Sequence, residues 1–158
     1  MAPLFKVLVA LDDSDNAARA VEYLSKNFSP DHEVTLFSVI PDTPMLCNID
    51  SPELTPYFQS QRNVFCVLED RKKELIEAAV NRAKDVLLKA GFKKEKITVK
   101  IQAKHKGIAR DIVAEAGSGY DTIVMGRRGL SGIKEFVMGS VSQKVLHSVK
   151  DVSIVIVS

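Results

Sequence analysis

The fold of this chain is decided by residues 121–142, DTIVMGRRGLSGIKEFVMGSVS. A short apolar run at 122–125 ends at Gly126, and a helical pattern begins only at Gly139 and Ser140. The stretch therefore predicts a β-strand, then a glycine-rich loop, then the start of a helix.

This glycine-rich loop has the properties of a phosphate-binding loop. Glycine lets the backbone come close to a ligand, and the N–H groups and dipole at a helix N-terminus attract anions. Donors aimed at a charged phosphate contribute roughly 1.5–3 kcal/mol each, so a few of them hold a nucleotide after the cost of immobilising it. For any single glycine, a simple turn is the better interpretation.

The glycine spacing excludes two common nucleotide motifs. No Gly-Lys-Ser or Gly-Lys-Thr follows, as a P-loop requires, and the Gly-x-Gly-x-x-Gly dinucleotide fingerprint is absent. The spacing is Gly126, two residues, Gly129, nine residues, then Gly139 and Ser140. With this spacing after its fourth predicted strand, the chain resembles the ATP-binding branch of the universal stress protein family over nearly its whole length.

Composition favours one compact domain over residues 1–158. The chain has 46% apolar and 27% charged residues, enough for one core but not two. Its formal charge of +2 comes from 22 basic and 20 acidic residues spread along the sequence, which predicts no nucleic-acid and no membrane partner. The apolar run 7–11 is too short to span a bilayer and no export signal is visible, so we expect a cytoplasmic protein.

Five short apolar runs predict five strands, separated by amphipathic helical patterns. The runs lie at residues 5–11, 34–40, 97–103, 122–125 and 152–157. The strand and helix alternation predicts a doubly wound five-stranded parallel α/β sheet, which is Rossmann-like. The third run alternates apolar and polar residues, so we expect it toward an edge of the sheet.

Chain order alone leaves two common strand orders open, 3-2-1-4-5 and 2-1-3-4-5. In the first, the switch point lies between strands one and four, so Asp12 and Gly126 would face each other across it. A strand-end carboxylate opposite a glycine loop supports nucleotide binding. From its own segment, Asp12 is equally well explained as a helix-capping residue.

The resemblance implies the first of these orders, in an adenine nucleotide alpha hydrolase-like fold. It also implies that Asp12 contacts the adenosine part of the nucleotide and that Val39 lies against adenine. The hydroxyl groups of Ser140 and Ser142 and the N–H groups at the glycine loop are then expected on the phosphates. The predicted cofactor-binding residues are Ala10, Leu11, Asp12, Val39, Met125, Gly126, Arg128, Gly129, Gly139, Ser140, Val141 and Ser142.

One position departs from the family pattern. Members often carry a small hydroxyl residue where this chain has Arg127. The departure leaves open which side-chain contacts are made to a phosphate at this point, but it does not affect the expected backbone contacts. Arg127 and Arg128 could pair with phosphate oxygens or point into water. Mg²⁺ or Mn²⁺ is a reasonable companion of a bound triphosphate, but no cluster of carboxylates identifies its ligands.

Residues 41–63 form the least regular segment of the sequence. Four prolines argue against a long helix there, so we expect a loop and a lid over the base and ribose. A long amphipathic helix is expected from about Val64 to Ala90. Cys47 and Cys66 lack metal-ligand spacing and are expected to be reduced thiols, and His32, in a predicted turn, is expected to be solvated.

Three functional classes remain open. The first is a cytoplasmic stress-response or regulatory protein that binds ATP and acts as a nucleotide-dependent dimeric switch toward a protein partner still to be identified. The resemblance implies a homodimer through the closing strand, from Val152 to Val157. The second is a weak ATPase or nucleotide-dependent hydrolase, although no base and nucleophile pair stands out. The third is a phosphoacceptor receiver domain. This chain fits that class poorly, because no aspartate follows strand three and no lysine follows strand five.

Overall fold

A computed structural model describes residues 3–42, 47, 55–127 and 138–158. The five strands are β1 (Lys6–Ala10), β2 (Glu33–Ile40), β3 (Ile97–Ala103), β4 (Thr122–Gly126) and β5 (Ser153–Val157). The four α-helices described are α1 (Asp15–Asn27), α2 (Pro56–Lys89), α3 (Ile108–Ala116) and α4 (Ser140–Ser148), and a 3-10 turn (Lys94–Lys96) precedes β3.

All five strands are parallel, in the order β3-β2-β1-β4-β5. This is the predicted doubly wound, Rossmann-like arrangement, and the alternative order 2-1-3-4-5 is excluded. Strand β1 lies at the centre, where Ala10 is in register with Phe37 of β2 and with Met125 of β4. The carboxyl ends of these three strands therefore meet at one edge of the sheet.

Helices cover both faces of the sheet, so the central strands are apolar on each side. In β1, Val7 and Val9 pack on the face covered by α1 and α2. Leu8 and Ala10 pack on the opposite face, covered by α3 and α4. This is why the sequence of β1 is continuously apolar instead of alternating.

The edge strand β3 is more exposed than its neighbours, as its alternating sequence predicts. Only its first residue, Ile97, is buried, while Val99 remains 39% exposed. The other edge strand, β5, is partly buried along most of its length.

The long helix α2 begins at Pro56, inside the segment expected to be irregular, so the loop prediction for 41–63 was wrong from residue 56 onward. The side chain of Thr55 accepts a hydrogen bond from the N–H of Phe58 at 3.3 Å and caps the helix. Proline in the first turn loses no helical hydrogen bond, so it starts the helix instead of breaking it. Residues 43–46 and 48–54 of the expected lid lie outside the described residues.

The imidazole of His32 is buried, so the prediction of a solvated side chain was wrong. His32 is 8% exposed, and its Nδ1 accepts a hydrogen bond from the N–H of Phe5 at 3.2 Å. Its ring also makes edge-on contacts with Phe5 and Phe28. The turn that carries His32 folds back under β1, which its charged sequence neighbours do not reveal.

Candidate functional site

A cleft of about 380 Å³ opens at the carboxyl ends of β1, β2 and β4. It lies at the point where the strand order reverses on either side of β1, which is where open α/β sheets bind their ligands. Its volume falls in the range of small-molecule sites, roughly 300–1,000 Å³.

Ten of the twelve predicted cofactor-binding residues line this cleft. They are Ala10, Leu11, Asp12, Val39, Met125, Gly126, Gly139, Ser140, Val141 and Ser142. The other two, Arg128 and Gly129, lie outside the described residues. The ten come from four separate segments of the chain, which the parallel sheet and the start of α4 bring together.

Asp12 lies at the end of β1, and one of its two carboxylate oxygens already accepts a hydrogen bond from the protein. Its Oδ1 accepts a hydrogen bond from the N–H of Ser14 at 2.9 Å, and no residue in the described part of the chain is bonded to its Oδ2. The N-cap of α1 is Ser14, whose Oγ accepts from Ala17 at 3.2 Å. Asp12 is therefore not the cap of α1, and it can still accept a hydrogen bond from a ligand.

Gly126 is required by the packing of α1 against the end of β4. A Cβ atom at this position would lie 2.7–2.8 Å from the backbone and Cβ of Asn16. Such a contact involves backbone that cannot move aside cheaply. The glycine is thus explained without a ligand, although it also lines the cleft.

Gly139 differs from Gly126, because its backbone conformation does not require glycine. It is the N-cap of α4, with φ −59° and ψ 152°, a conformation open to other residues. Its N–H donates to the carbonyl of Arg127 at 2.9 Å, so it is not available to a ligand in this conformation. The cap predicted at Ser140 lies one residue earlier.

The first turn of α4 presents its backbone N–H groups toward the cleft. Ser140, Val141 and Ser142 occupy the first three helical positions, where N–H groups have no partner within the helix. Ser142 is 3% exposed, and its hydroxyl donates to the carbonyl of Gly126 at 2.8 Å. That bond ties α4 to β4, and a phosphate contact would require the hydroxyl to turn away from it.

Much of the rest of the cleft is apolar, with charged side chains on the side of α2 and β3. Phe37, Val39 and Ile40 continue the wall from β2. Four charged residues that line the cleft were missed by sequence reasoning, namely Asp13, Glu69, Lys72 and Lys104. Mixed charges along α2 indicate only a solvated helix face, because no local signal shows which of them the fold turns toward the cleft.

Cys47 and Cys66 form a disulfide, so the prediction of two reduced thiols was wrong. Their Cα atoms lie 5.9 Å apart although the residues are 19 positions apart in sequence. Sequence spacing gave no indication of this pairing, which joins residue 47 to the helix α2 that carries Cys66. The disulfide fixes residue 47 to α2 one turn before Glu69, a residue that lines the cleft.

Two buried carboxylates on α3 lie behind the cleft, and the first of them is Asp111. It is 4% exposed and accepts hydrogen bonds from the N–H groups of His105 and Lys106, at 2.8 and 3.0 Å. Burial by itself raises the pKa of Asp111, but these N–H groups outweigh it and hold the pKa below its ordinary value. The carboxylate thereby fixes the loop that leads from β3 into α3.

The second buried carboxylate is Glu115, which joins α3 to the edge strand β3. It accepts hydrogen bonds from Lys100 at 2.5 Å and from the hydroxyl of Tyr120 at 2.8 Å. Burial raises the pKa of Glu115, and the bonds from Lys100 and Tyr120 outweigh it, so the net shift is downward. The pKa of Tyr120 is raised, chiefly by burial. These groups satisfy one another and leave nothing for a ligand.

Within the described ranges, no three His, Cys, Asp or Glu side chains come together to hold a metal ion.

No helix in the described part of the chain is long and apolar enough to cross a membrane.

The structure is an open α/β fold with a cleft at the switch point of its sheet. The family model of the universal stress protein family matches residues 4–157. The chain therefore belongs to the universal stress protein family. A search of curated proteins found no match.

Three solved structures illustrate the shared fold. Hypothetical protein MJ0577 is 24% identical, with a TM-score of 0.69 over 99% of this chain and 96% of that chain. Universal stress protein UspA from Lactobacillus plantarum is 19% identical, with a TM-score of 0.69 over 100% of both chains. A universal stress protein in complex with cAMP is 20% identical, with a TM-score of 0.62 over 99% and 98%. At these identities the likeness is one of fold.

Proposed function

We propose that residues 1–158 form one domain that binds an adenine nucleotide in this cleft, with ATP as the favoured ligand. The observation that carries the proposal is the convergence of ten predicted residues, from four chain segments, on one cleft at the switch point. A universal stress protein of the same fold was solved in complex with cAMP, which supports an adenine nucleotide as the ligand class.

The proposed orientation follows from the chemistry of the cleft walls. Adenine lies against Val39 on the apolar side formed by β2. The ribose hydroxyls donate to Asp12, whose Oδ1 is held by Ser14. The phosphates lie at the first turn of α4, where the N–H groups of Ser140 and Val141 and the helix dipole attract anions.

A divalent cation fits this arrangement as a companion of the phosphates. Mg²⁺ prefers one or two carboxylates together with substrate phosphates, not a cage made by protein alone. Asp12 and Asp13 are the cleft carboxylates at the end of β1. Mg²⁺ or Mn²⁺ would neutralise the triphosphate there, and the protein would supply only the position.

The first test is thermal unfolding with Mg·ATP, AMP and NAD. ATP at about a hundred times its dissociation constant stabilises by about 2.7 kcal/mol, which shifts the midpoint visibly. In Gly139→Val the shift should disappear, because the backbone angles at residue 139 tolerate valine while its side chain occupies the entrance to the first turn of α4.

Gly117→Val is the matched control, because Gly117 lies at the end of α3 outside the cleft and an added Cβ meets only ordinary contacts. This variant should keep the full response to ATP. A parent protein that no nucleotide stabilises would overturn the proposal. If both variants lost the thermal shift with ATP equally, the loss would reflect a general disturbance of the fold and not a change in the cleft.

We further propose that the protein acts in the stress response as a homodimeric switch, whose nucleotide state is read by a protein partner. The dimer would form through residues 152–157. Ser153 donates to Asp121, and Val157 accepts from Arg127, so these residues face β4. Because strand residues alternate, Ile154 and Ile156 turn their backbone N–H and C=O groups to the open edge, which invites strand pairing.

The dimer is tested by sedimentation of Ile154→Pro beside the parent. Proline at 154 removes an N–H that points away from β4, so it should abolish edge pairing without breaking the sheet. We expect a parent dimer and a folded monomeric variant. A parent that sediments as a monomer at micromolar concentration would remove this part of the proposal.

The proposed compartment is the cytoplasm, where an ATP-dependent switch finds its ligand. Disulfides are uncommon there, so the bond between Cys47 and Cys66 argues against this compartment and makes a direct test necessary. Cells are lysed in an alkylating reagent and the intact mass of the protein is measured. Recovery of the protein in the cytoplasmic fraction is expected, and its mass shows whether Cys47 and Cys66 are bonded there. Recovery of the protein only in an exported fraction would contradict the assignment.

A further inference from the structure

Beside the nucleotide cleft lies a second cavity, of about 350 Å³, bordered by α3 and α4. Four cationic side chains line it, namely Lys104, Lys106, Arg110 and Lys144. Its described lining contains no acidic residue. The cavity is therefore a concentrated patch of positive charge with room for a ligand.

These four cations are not neutralised by ion pairs with acidic side chains in the ranges that the structure describes. The carboxylate of Asp111, on the same helix as Arg110, is buried and accepts hydrogen bonds from backbone N–H groups. It therefore offers no side-chain partner to the lysines. Clustered cations of this kind raise the local concentration of anions.

The second cavity adjoins the nucleotide cleft. Lys104, Ile108, Ser140 and Val141 line both. The first turn of α4 is where the phosphates of a bound nucleotide are proposed to lie. A phosphate chain that extends past this turn would enter the second cavity and meet the cationic side chains.

We propose that the second cavity is an anion subsite for a phosphate chain longer than the cleft itself accommodates. The ligand class is a nucleoside polyphosphate with more phosphates than ATP, or a free polyphosphate chain. The nucleoside part of this ligand rests on the proposed nucleotide-binding function, whereas the binding of the phosphate chain does not. Arg110 supplies a planar fork for two phosphate oxygens, and Lys106 and Lys144 supply mobile point charges.

The test is calorimetric titration with inorganic tripolyphosphate, AMP and adenosine 5′-tetraphosphate. The variant Lys106→Gln/Arg110→Gln/Lys144→Gln removes the three cations that line only the second cavity. The control Lys89→Gln/Lys93→Gln/Lys94→Gln removes the same charge at exposed positions elsewhere.

Tripolyphosphate should bind the cavity variant at least about tenfold more weakly than the parent, while the control stays within about twofold. AMP should bind all three proteins equally. Tighter binding of adenosine tetraphosphate than of inorganic tetraphosphate, titrated beside it, would identify the nucleoside-linked chain, and equal binding of the two would identify the free chain. Absence of tripolyphosphate binding to the parent, or equal loss in both variants, would overturn the subsite.

The two proposals fail separately. If AMP and ATP do not bind but tripolyphosphate discriminates between the variants, the nucleotide function falls and the anion subsite stands. If AMP binds and tripolyphosphate does not discriminate, the subsite falls and the nucleotide function stands.

Discussion

Two regions around the cleft differ in how completely their polar groups are used. The supporting layer consists of Gly126, Asp111 and Glu115, which are fixed by contacts within the protein. The rim consists of Asp12 and the first turn of α4, where acceptor and donor capacity remains. The comparison teaches that the position of a residue at the cleft does not by itself show that the residue binds a ligand. A group whose hydrogen-bonding partners lie within the protein stabilises the fold, whereas a group with unused hydrogen-bonding capacity is available to a ligand.

The largest loss of stability is expected for Gly126→Ala, which alters the supporting layer. An added Cβ would lie 2.7–2.8 Å from Asn16, so α1 or β4 must shift and the free energy of unfolding should fall by about 3 kcal/mol. Urea denaturation measures the loss, with Gly117→Ala as the control that should change stability little. A Gly126→Ala protein as stable as the parent would show that α1 yields freely at this point.

The next largest effect is expected for Asp111→Ala. The N–H groups of His105 and Lys106 lose a charged acceptor in a partly buried site, which should cost about 2 kcal/mol. Asp111→Asn keeps one acceptor oxygen but turns its NH2 group toward the other N–H donor, so it should lose nearly as much. Equal stability of the alanine variant and the parent in urea would mean that water replaces the carboxylate without cost.

The pH dependence of stability separates the two regions further. The pKa values of Asp111 and Glu115 are lowered in the folded protein, so the unfolded state binds more protons as pH falls through their ordinary values of 3.8 and 4.5. Their stabilisation is complete above those values and is lost progressively below them. Denaturation midpoints of Asp111→Asn/Glu115→Gln should therefore depend less on pH than those of the parent, and parallel curves would contradict this.

The smallest change in stability is expected for Asp12→Asn. Asparagine keeps an acceptor for the N–H of Ser14, so the free energy of unfolding should stay within about 0.5 kcal/mol of the parent. Affinity for ATP should fall about tenfold, because the ribose loses a charged acceptor. Asp31→Asn, at an exposed position outside the cleft, is the control that should bind ATP as the parent does. Calorimetry in which Asp12→Asn also binds ATP as the parent does would remove Asp12 from the site.

Much of the fold could be predicted because its signals are local. Buried parallel strands are apolar runs, so the strands were located within about one residue of their observed ends, and the order followed from the resemblance. The start of α2 was missed because proline is a helix breaker in the interior but a helix starter after Thr55. His32 was missed because its burial depends on Phe5 and Phe28, which are remote in sequence.

The candidate site was predictable in its backbone and less so in its side chains. The glycine spacing located the start of α4 and the residues beside it. It could not locate Lys72 on α2 or Lys104 after β3, because a charged residue on an amphipathic helix or in a loop looks the same whether it faces a cleft or water. The pairing of Cys47 with Cys66 was equally invisible, since it depends on the path of the chain between them.

The sequence by itself determined the alternation of strands and helices and the residues that end each strand, because these are written in local periodicity and spacing, and its glycine spacing pointed to the family. The strand order that brings those strand ends together is a property of the folded sheet, and chain order alone leaves it open. Only the tertiary structure decided the purpose of individual groups. Gly126 is glycine because Asn16 approaches it, the N–H of Gly139 is taken by Arg127, and Ser142 is bonded to Gly126. These contacts join residues from different elements, and their energies depend on distances of a few tenths of an ångström that no linear pattern encodes.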